Sequence, residues 1–165
     1  MVAHPSEDRA ELVTRVDLDY ESPKKKYQLN VRAMSEHLRS EIPVTIHVVD
    51  VNDNAPVLSD FRIIFNNFKN HFPVGPIGRV PAMDADVTDQ LKYRIVNGNK
   101  AELLEIHPES GDITLSPSLN TNVPIRATMI VSVSGTSSSR YTTHRYTTGS
   151  LHIQVHTHTI PHRLK

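Results

Sequence analysis

The residues best placed to do chemistry lie in three short acidic stretches: Asp19-Tyr20-Glu21, Asp50-Val51-Asn52-Asp53-Asn54-Ala55-Pro56 and Asp84-Ala85-Asp86. The middle stretch sets four oxygen-bearing side chains within five residues. It follows an alternating apolar run (Val44, Ile46, Val48) and ends at a proline that forbids a regular continuation. Such a segment is too acidic for a core and too short for a solvated tail. If Asp19, Glu21, Asp50, Asp53, Asp84 and Asp86 meet at a junction, they repel one another unless cations sit among them. Carboxylate, amide and backbone carbonyl ligands form an oxygen-only donor set, which suits calcium and disfavours zinc or copper.

Other chemistries fail on spacing or composition. An EF-hand counted from Asp50 has Ala55 where glycine is needed and Phe61 where glutamate is needed; counted from Asp84, those positions are Asp89 and Ile95. The chain has 10 histidines, but His152, His156 and His158 lack an evident further ligand and read as solvent-exposed. Ser137 to Ser139 near His144 have no orienting carboxylate, so no catalytic set is expected and the protein reads as a non-enzyme. There is no cysteine, which removes disulfide frameworks and thiolate metal sites. With 18 basic against 18 acidic residues the total charge gives no footprint for nucleic acid or a membrane surface. No apolar run is long enough to span a bilayer.

The elements that must position the acidic stretches have the signature of strands. Apolar residues recur with period two in short runs bounded by Pro, Gly, Asn and Ser. The runs are Leu12 to Leu18, Tyr27 to Met34, Val44 to Val49, Phe61 to Phe65, Ile77 to Val80, Leu91 to Val96, Leu103 to Ile106, Ile113 to Leu115, Ala127 to Val133 and Leu151 to Val155. Met1 to Glu11 is polar, and Pro108-Glu109-Ser110-Gly111 reads as a hairpin turn. The expectation is an all-β Greek-key sandwich. The chain also repeats itself. Leu12-Val13-Thr14 matches Ile113-Thr114-Leu115 at an offset of 101, Tyr27 to Ala33 matches Ala127 to Val133 at 100, and Val44, Ile46, Val48 match Leu151, Ile153, Val155 at 107. A period near one sandwich domain predicts the C-terminal half of a domain at 1–50, a linker at 51–56 and a complete domain at 57–160. The step to 107 places an insertion between Gly135 and Ser150, read as a long polar hairpin loop containing a duplicated Arg-Tyr-Thr-Thr. Half a sandwich exposes a sheet face, so the chain is expected to be a piece of a longer protein.

Leu18-Asp19-Tyr20-Glu21, the Asp50–Pro56 stretch and Ala82-Met83-Asp84-Ala85-Asp86, in this order around period-100 sandwiches, resemble the cadherin repeat. Phe61 to Phe68, Phe72 to Val87 and Leu115 to Asn122 are most similar to the membrane-proximal repeat of Flamingo-type seven-pass cadherins. The resemblance implies a calcium-dependent cell–cell adhesion module on the extracellular face of the plasma membrane. Its partner would be a cadherin on an apposed cell, homophilic or heterophilic, and the membrane would be reached only through a part outside this chain. It implies Ca2+ ligation by Asp19, Glu21, Asp50, Asp53, Asp84 and Asp86 through carboxylates, by Val51 and Asn54 through carbonyls, and by Asn52 through its amide. Three departures go with it. An early glutamate of the first domain would precede Met1; Gly135 stands where a ligand aspartate is expected; and Leu119-Asn120-Thr121-Asn122 replaces the Leu-Asp-Tyr-Glu set, as expected of the last repeat in an array. The competing expectation is a calcium-independent spacer or protein-binding module that uses the loop at 136–150.

Overall fold

The computed structural model describes residues 2–6, 9–67, 75–117, 125–135 and 146–157. Among them there are strands and turns and no helix. The chain forms two units, Met1–Val51 and Asn52–Lys165.

The second unit is built on β12 (Ile125–Gly135) and β13 (Tyr146–Thr157), an antiparallel hairpin. Alternation along both strands turns Met129, Val131 and Val133, and Leu151, Ile153 and Val155, to one side, where all are buried. Full burial of each such side chain contributes about 1.5–3 kcal/mol. β6 (Phe61–Asn67) joins parallel to β13, and β9 (Leu91–Asn97) joins antiparallel to β12, giving a four-stranded sheet of order β6-β13-β12-β9. A three-stranded sheet of β10 (Leu104–Ile106), β11 (Asp112–Leu115) and β7 (Gly78–Arg79) supplies buried Leu104 and Ile113 to the same core. A short ladder pairs β5 (Val57–Leu58) with β8 (Ala82–Met83), so the loop after β8, which holds Asp84 and Asp86, is tied to the segment that leaves the linker. The turn between β10 and β11 is the one expected at Pro108–Gly111, with Gly111 at φ +70° and its N–H donating to the His107 carbonyl at 3.0 Å.

The first unit holds two hairpins, β1 (Val2–Ser6) with β2 (Arg9–Val13), and β3 (Lys26–Met34) with β4 (Arg39–His47). Tyr27 pairs with Ile46, Leu29 with Val44 and Val31 with Ile42, so one face is apolar. That face is only half covered, with Ile42 61% exposed.

The register bears out the internal repeat. Tyr27↔Ile46, Leu29↔Val44 and Val31↔Ile42 correspond to Ala127↔Ile153, Met129↔Leu151 and Val131↔Gly149. Met34↔Arg39 corresponds likewise to Ser134↔Tyr146, so four residues join the first hairpin and eleven the second. The insertion is therefore at the hairpin tip.

Several expected elements need correction. The run Leu12 to Leu18 is a strand only to Val13, and the next residues are an exposed irregular segment whose apolar Val16 points into solvent. The polar N-terminal stretch is not featureless: β1 and β2 pair through their backbones, which alternation of side chains does not report. Residues 146–150 belong to β13 rather than to a loop, because Tyr146, Thr147 and Thr148 suit a pleated edge. The rest of the inserted loop, residues 136–145, lies outside the described residues.

Candidate metal centre

The acidic positions fall into two groups, one in each unit. In the first, Asp19 and Glu21 occupy the connection between β2 and β3. Glu21 N–H donates to Asp19 Oδ1 at 2.9 Å and Ser22 Oγ–H donates to the Asp19 carbonyl at 2.7 Å, so the aspartate closes its own turn. Asp50, half-buried, and Val51, exposed, follow β4 at the end of this unit.

The second group is more tightly organised. Asp86, 4% exposed, accepts the Asn54 N–H on Oδ2 at 2.9 Å and the Asn54 side-chain amide on Oδ1 at 2.7 Å. The same amide donates to Asp53 Oδ1 at 3.0 Å. Asp86 N–H donates in turn to Asp84 Oδ1 at 2.9 Å. One asparagine thus fixes a buried carboxylate from 32 residues away, and that carboxylate's backbone fixes the next one. Asn52 is half-buried beside this set in sequence, and Pro56 is buried, anchoring the end of the linker.

The electrostatics of this group are unfavourable for the charged carboxylates as they stand. Asp84 Oδ2 is buried and accepts no hydrogen bond from any described residue. Burial pushes the Asp84 carboxyl above its ordinary range; backbone N–H groups of Asp86 and Ala85 oppose this, while the charges of Asp86 and Asp89 reinforce it. A donorless buried carboxylate oxygen among like charges is costly, and a hard cation relieves it. The oxygen-only donors meet the requirement of calcium.

Sequence reasoning missed two features of the site. Asn54, expected to serve only through its backbone carbonyl, also clamps Asp86 with its backbone N–H and its side-chain amide; the 32-residue separation hides this. Gly135, read as a lost ligand, has the Asp89 carboxylate lying over it. A β-carbon there would stand 2.9 Å from Asp89 Cγ and 3.2 Å from Oδ1, so a side chain at this position must displace Asp89. Asn120, Thr121, Asn122 and His158, on which other expectations rested, lie outside the described residues.

Residues 49–147 match the family model for the CELSR2-like, ninth cadherin domain. The chain belongs to the cadherin family. Protocadherin-like wing polarity protein stan of Drosophila melanogaster is 58% identical over 134 residues, covering 81% of this chain and 4% of that protein. Cadherin EGF LAG seven-pass G-type receptor 3 of Homo sapiens is 44% identical over 127 residues, covering 74% of this chain and 4% of the relative. The cadherin chain therefore spans only a small part of the curated relatives it matches. Among solved structures, the protocadherin gammaB4 extracellular domain superposes with a TM-score of 0.74 at 23% identity, covering 93% of this chain and 26% of that one. A protocadherin gammaB7 EC3-6 structure gives 0.73, at 23% identity over 93% of this chain and 38% of that one. Both show the same cadherin β-sandwich. As a cadherin repeat resembling those of Flamingo- and CELSR-type receptors, it is a non-enzymatic, adhesion-type extracellular module.

Proposed function

We propose that this cadherin module binds calcium, and that the bound ion stiffens the chain at the Asp50–Pro56 linker so that a longer receptor can engage a cadherin on an apposed cell. The observation that carries the reading is the Asp84–Asp86–Asn54 arrangement, in which one carboxylate is clamped by an asparagine and its neighbour keeps a buried oxygen without a donor. In this reading Asp53, Asp84 and Asp86 give carboxylate ligands, Asn52 its amide and Asn54 its carbonyl. Asp19, Glu21, Asp50 and the Val51 carbonyl are assigned to the same ions by the sequence motifs. When bound, calcium supplies the positive charge that cancels repulsion among these carboxylates. Asn54 and the Asp84 turn orient the carboxylates in advance, lowering the ordering cost of binding. The Drosophila relative is named a wing polarity protein and the human one a seven-pass receptor, which supports placement in a membrane receptor that organises cell polarity.

Extracellular calcium modules bind at about 10⁻⁴ to 10⁻³ M. At about 1 mM calcium, mass action then stabilises the folded chain by about 0.4–1.4 kcal/mol per site. The test is a pair of melting curves on the whole chain, in millimolar calcium and in chelator. The wild type is expected to gain a few degrees with calcium, and Asp86→Asn, which keeps the shape but removes the charge, to lose that gain. Equal melting temperatures for the wild type in both buffers would falsify the calcium role.

A further inference from the structure

Net neutrality conceals a segregation of charge. All 18 acidic residues lie at or before Asp112, so the rest of the chain holds none. β12 and β13, the two central strands of the four-stranded sheet, therefore carry no carboxylate, and neither do β6 and β9 at its edges. On the outer face of this sheet, opposite the core, stand Arg62, Lys92, Arg94, Arg126, His152 and His156. Arg62 lies beside His152, and His152 beside Thr128; Arg126 is the partner of Gln154, and Arg94 of Ser132.

Two carboxylates reach the margin of this face, Glu109 and Asp60, and Asp60 Oδ1 accepts the Ser150 N–H at 2.7 Å. Lys92 pairs with Glu109 at 2.8 Å. Arg62, Arg94 and Arg126 form no ion pair among the described residues. The remaining segments of this unit, residues 68–74, 118–124, 136–145 and 158–165, contain no Asp or Glu that could reach them. Arg62, Arg126 and His152 rim a shallow concavity of about 480 Å³ floored by Ala127, Thr128 and Ile153. Thr128 Oγ1 and His152 Nδ1 lie 3.1 Å apart across its floor.

We infer that this face binds a linear sulfated polysaccharide. Arg126 and Ser132, the partner of Arg94, are six residues apart on β12, about 20 Å at ~3.3 Å per residue. Arg62 stands two strands from Arg126, about 10 Å at ~4.8 Å per strand. Cations spread over such a distance match an extended polyanion with repeated charges rather than one phosphate group. Between them lie Thr128, Ser132, Ser150 and Gln154, whose hydroxyl and amide groups suit sugar hydroxyls. The centre of the face has no aromatic anchor of the kind that dominates protein–protein hot spots, since Tyr146 stands at its rim. An acidic polypeptide would find charge here and, for apolar contact, scattered aliphatic side chains such as Ile64 and Ile130 exposed among the polar groups.

The probe is heparin, immobilised, with the whole chain flowed over it at physiological salt. Binding is expected, and its affinity should fall steeply with salt through counterion release. Arg62→Gln/Arg126→Gln, both exposed positions, should weaken it at least tenfold and flatten the salt dependence with an unchanged melting temperature; Arg94→Gln is an independent second variant. Lys24-Lys25-Lys26 is the internal control, because Lys24 and Lys25 already sit 4.5 and 3.9 Å from the Tyr27 and Tyr20 rings. Replacing all three lysines by Gln should change binding less than the arginine pair does. Binding lost in the lysine variant and kept in the arginine variants would overturn the inference. So would no binding at physiological salt, or polyglutamate competing as well as heparin, which would point to an acidic protein instead.

Discussion

The hairpins β3–β4 and β12–β13 have the same register, one hundred or so residues apart, and opposite fates. In the second, six apolar side chains are sealed against the sheet that contains Leu104 and Ile113. In the first, Tyr27, Leu29, Val31, Val44 and Ile46 are half-buried and Ile42 is exposed, and none of residues 11–51 is buried. Pattern alone therefore does not make a core. Alternation selects which face is apolar, and a second layer decides whether that face leaves water.

The widest separation between the two hairpins should appear on truncating equivalent inward positions. Leu151→Ala removes a fully buried side chain and should cost about 2–5 kcal/mol. Ile46→Ala, on the half-covered face, should cost a fraction of that, since little cavity is left where solvent already reaches. Denaturant melts of the two variants decide this. Equal losses would mean that the first hairpin is as well covered as the second and would break the comparison.

A smaller effect sharpens it at the edge of the buried hairpin. Gly98, with φ +86°, follows β9 where the β9–β12 ladder shifts register near Ile130 and Val131. A β-carbon on it would lie 2.8 Å from Met129 Cα, with the Thr128 carbonyl closer still. Gly98→Ala therefore combines a disfavoured backbone with overpacking against β12, and should destabilise by about 1–3 kcal/mol. A thermal melt that matches wild type would show that β9 can slide away from β12 freely.

What was legible in the sequence follows from which interactions are local. β12 and β13 were readable because both obey period two across a buried face, and the repeat was readable because two hairpins keep one register. The acidic loops were readable because their carboxylates are dense in sequence. The Asn54 clamp on Asp86 was not, since it joins residues 32 apart through an amide that any turn asparagine carries. The ladder Val57↔Met83 was missed for being two residues long, and Val16 misled because an apolar residue in an exposed segment alternates as well as one in a strand. The absence of carboxylates after Asp112 is plain in the sequence, but only the sheet order collects the basic residues onto one face.

The least expected difference lies in the layer that covers β12–β13. Among the described residues each unit carries one cross-strand ion pair at directly opposed positions: Arg32 with Glu41 within the open hairpin, and Arg79 with Asp112 at 2.7 Å between β7 and β11 of the covering sheet. The hydrogen bond from Arg79, and after it that from Ser110, holds the Asp112 carboxyl below the ordinary aspartate range; the same bond raises Arg79, which stays charged throughout. An acid depressed in the folded state adds stability above its unfolded pKa, near 4, and loses it as pH falls through the folded value. Asp112→Asn should therefore melt slightly below wild type at neutral pH, with the gap closing below about pH 4. Arg79 faces solvent and Asp112 is half-buried at the surface, so the gap is small and shrinks further in high salt. A gap that persists unchanged into acid would assign the contribution of Asp112 to its neutral hydrogen bonds and would leave the covering sheet held by apolar packing alone.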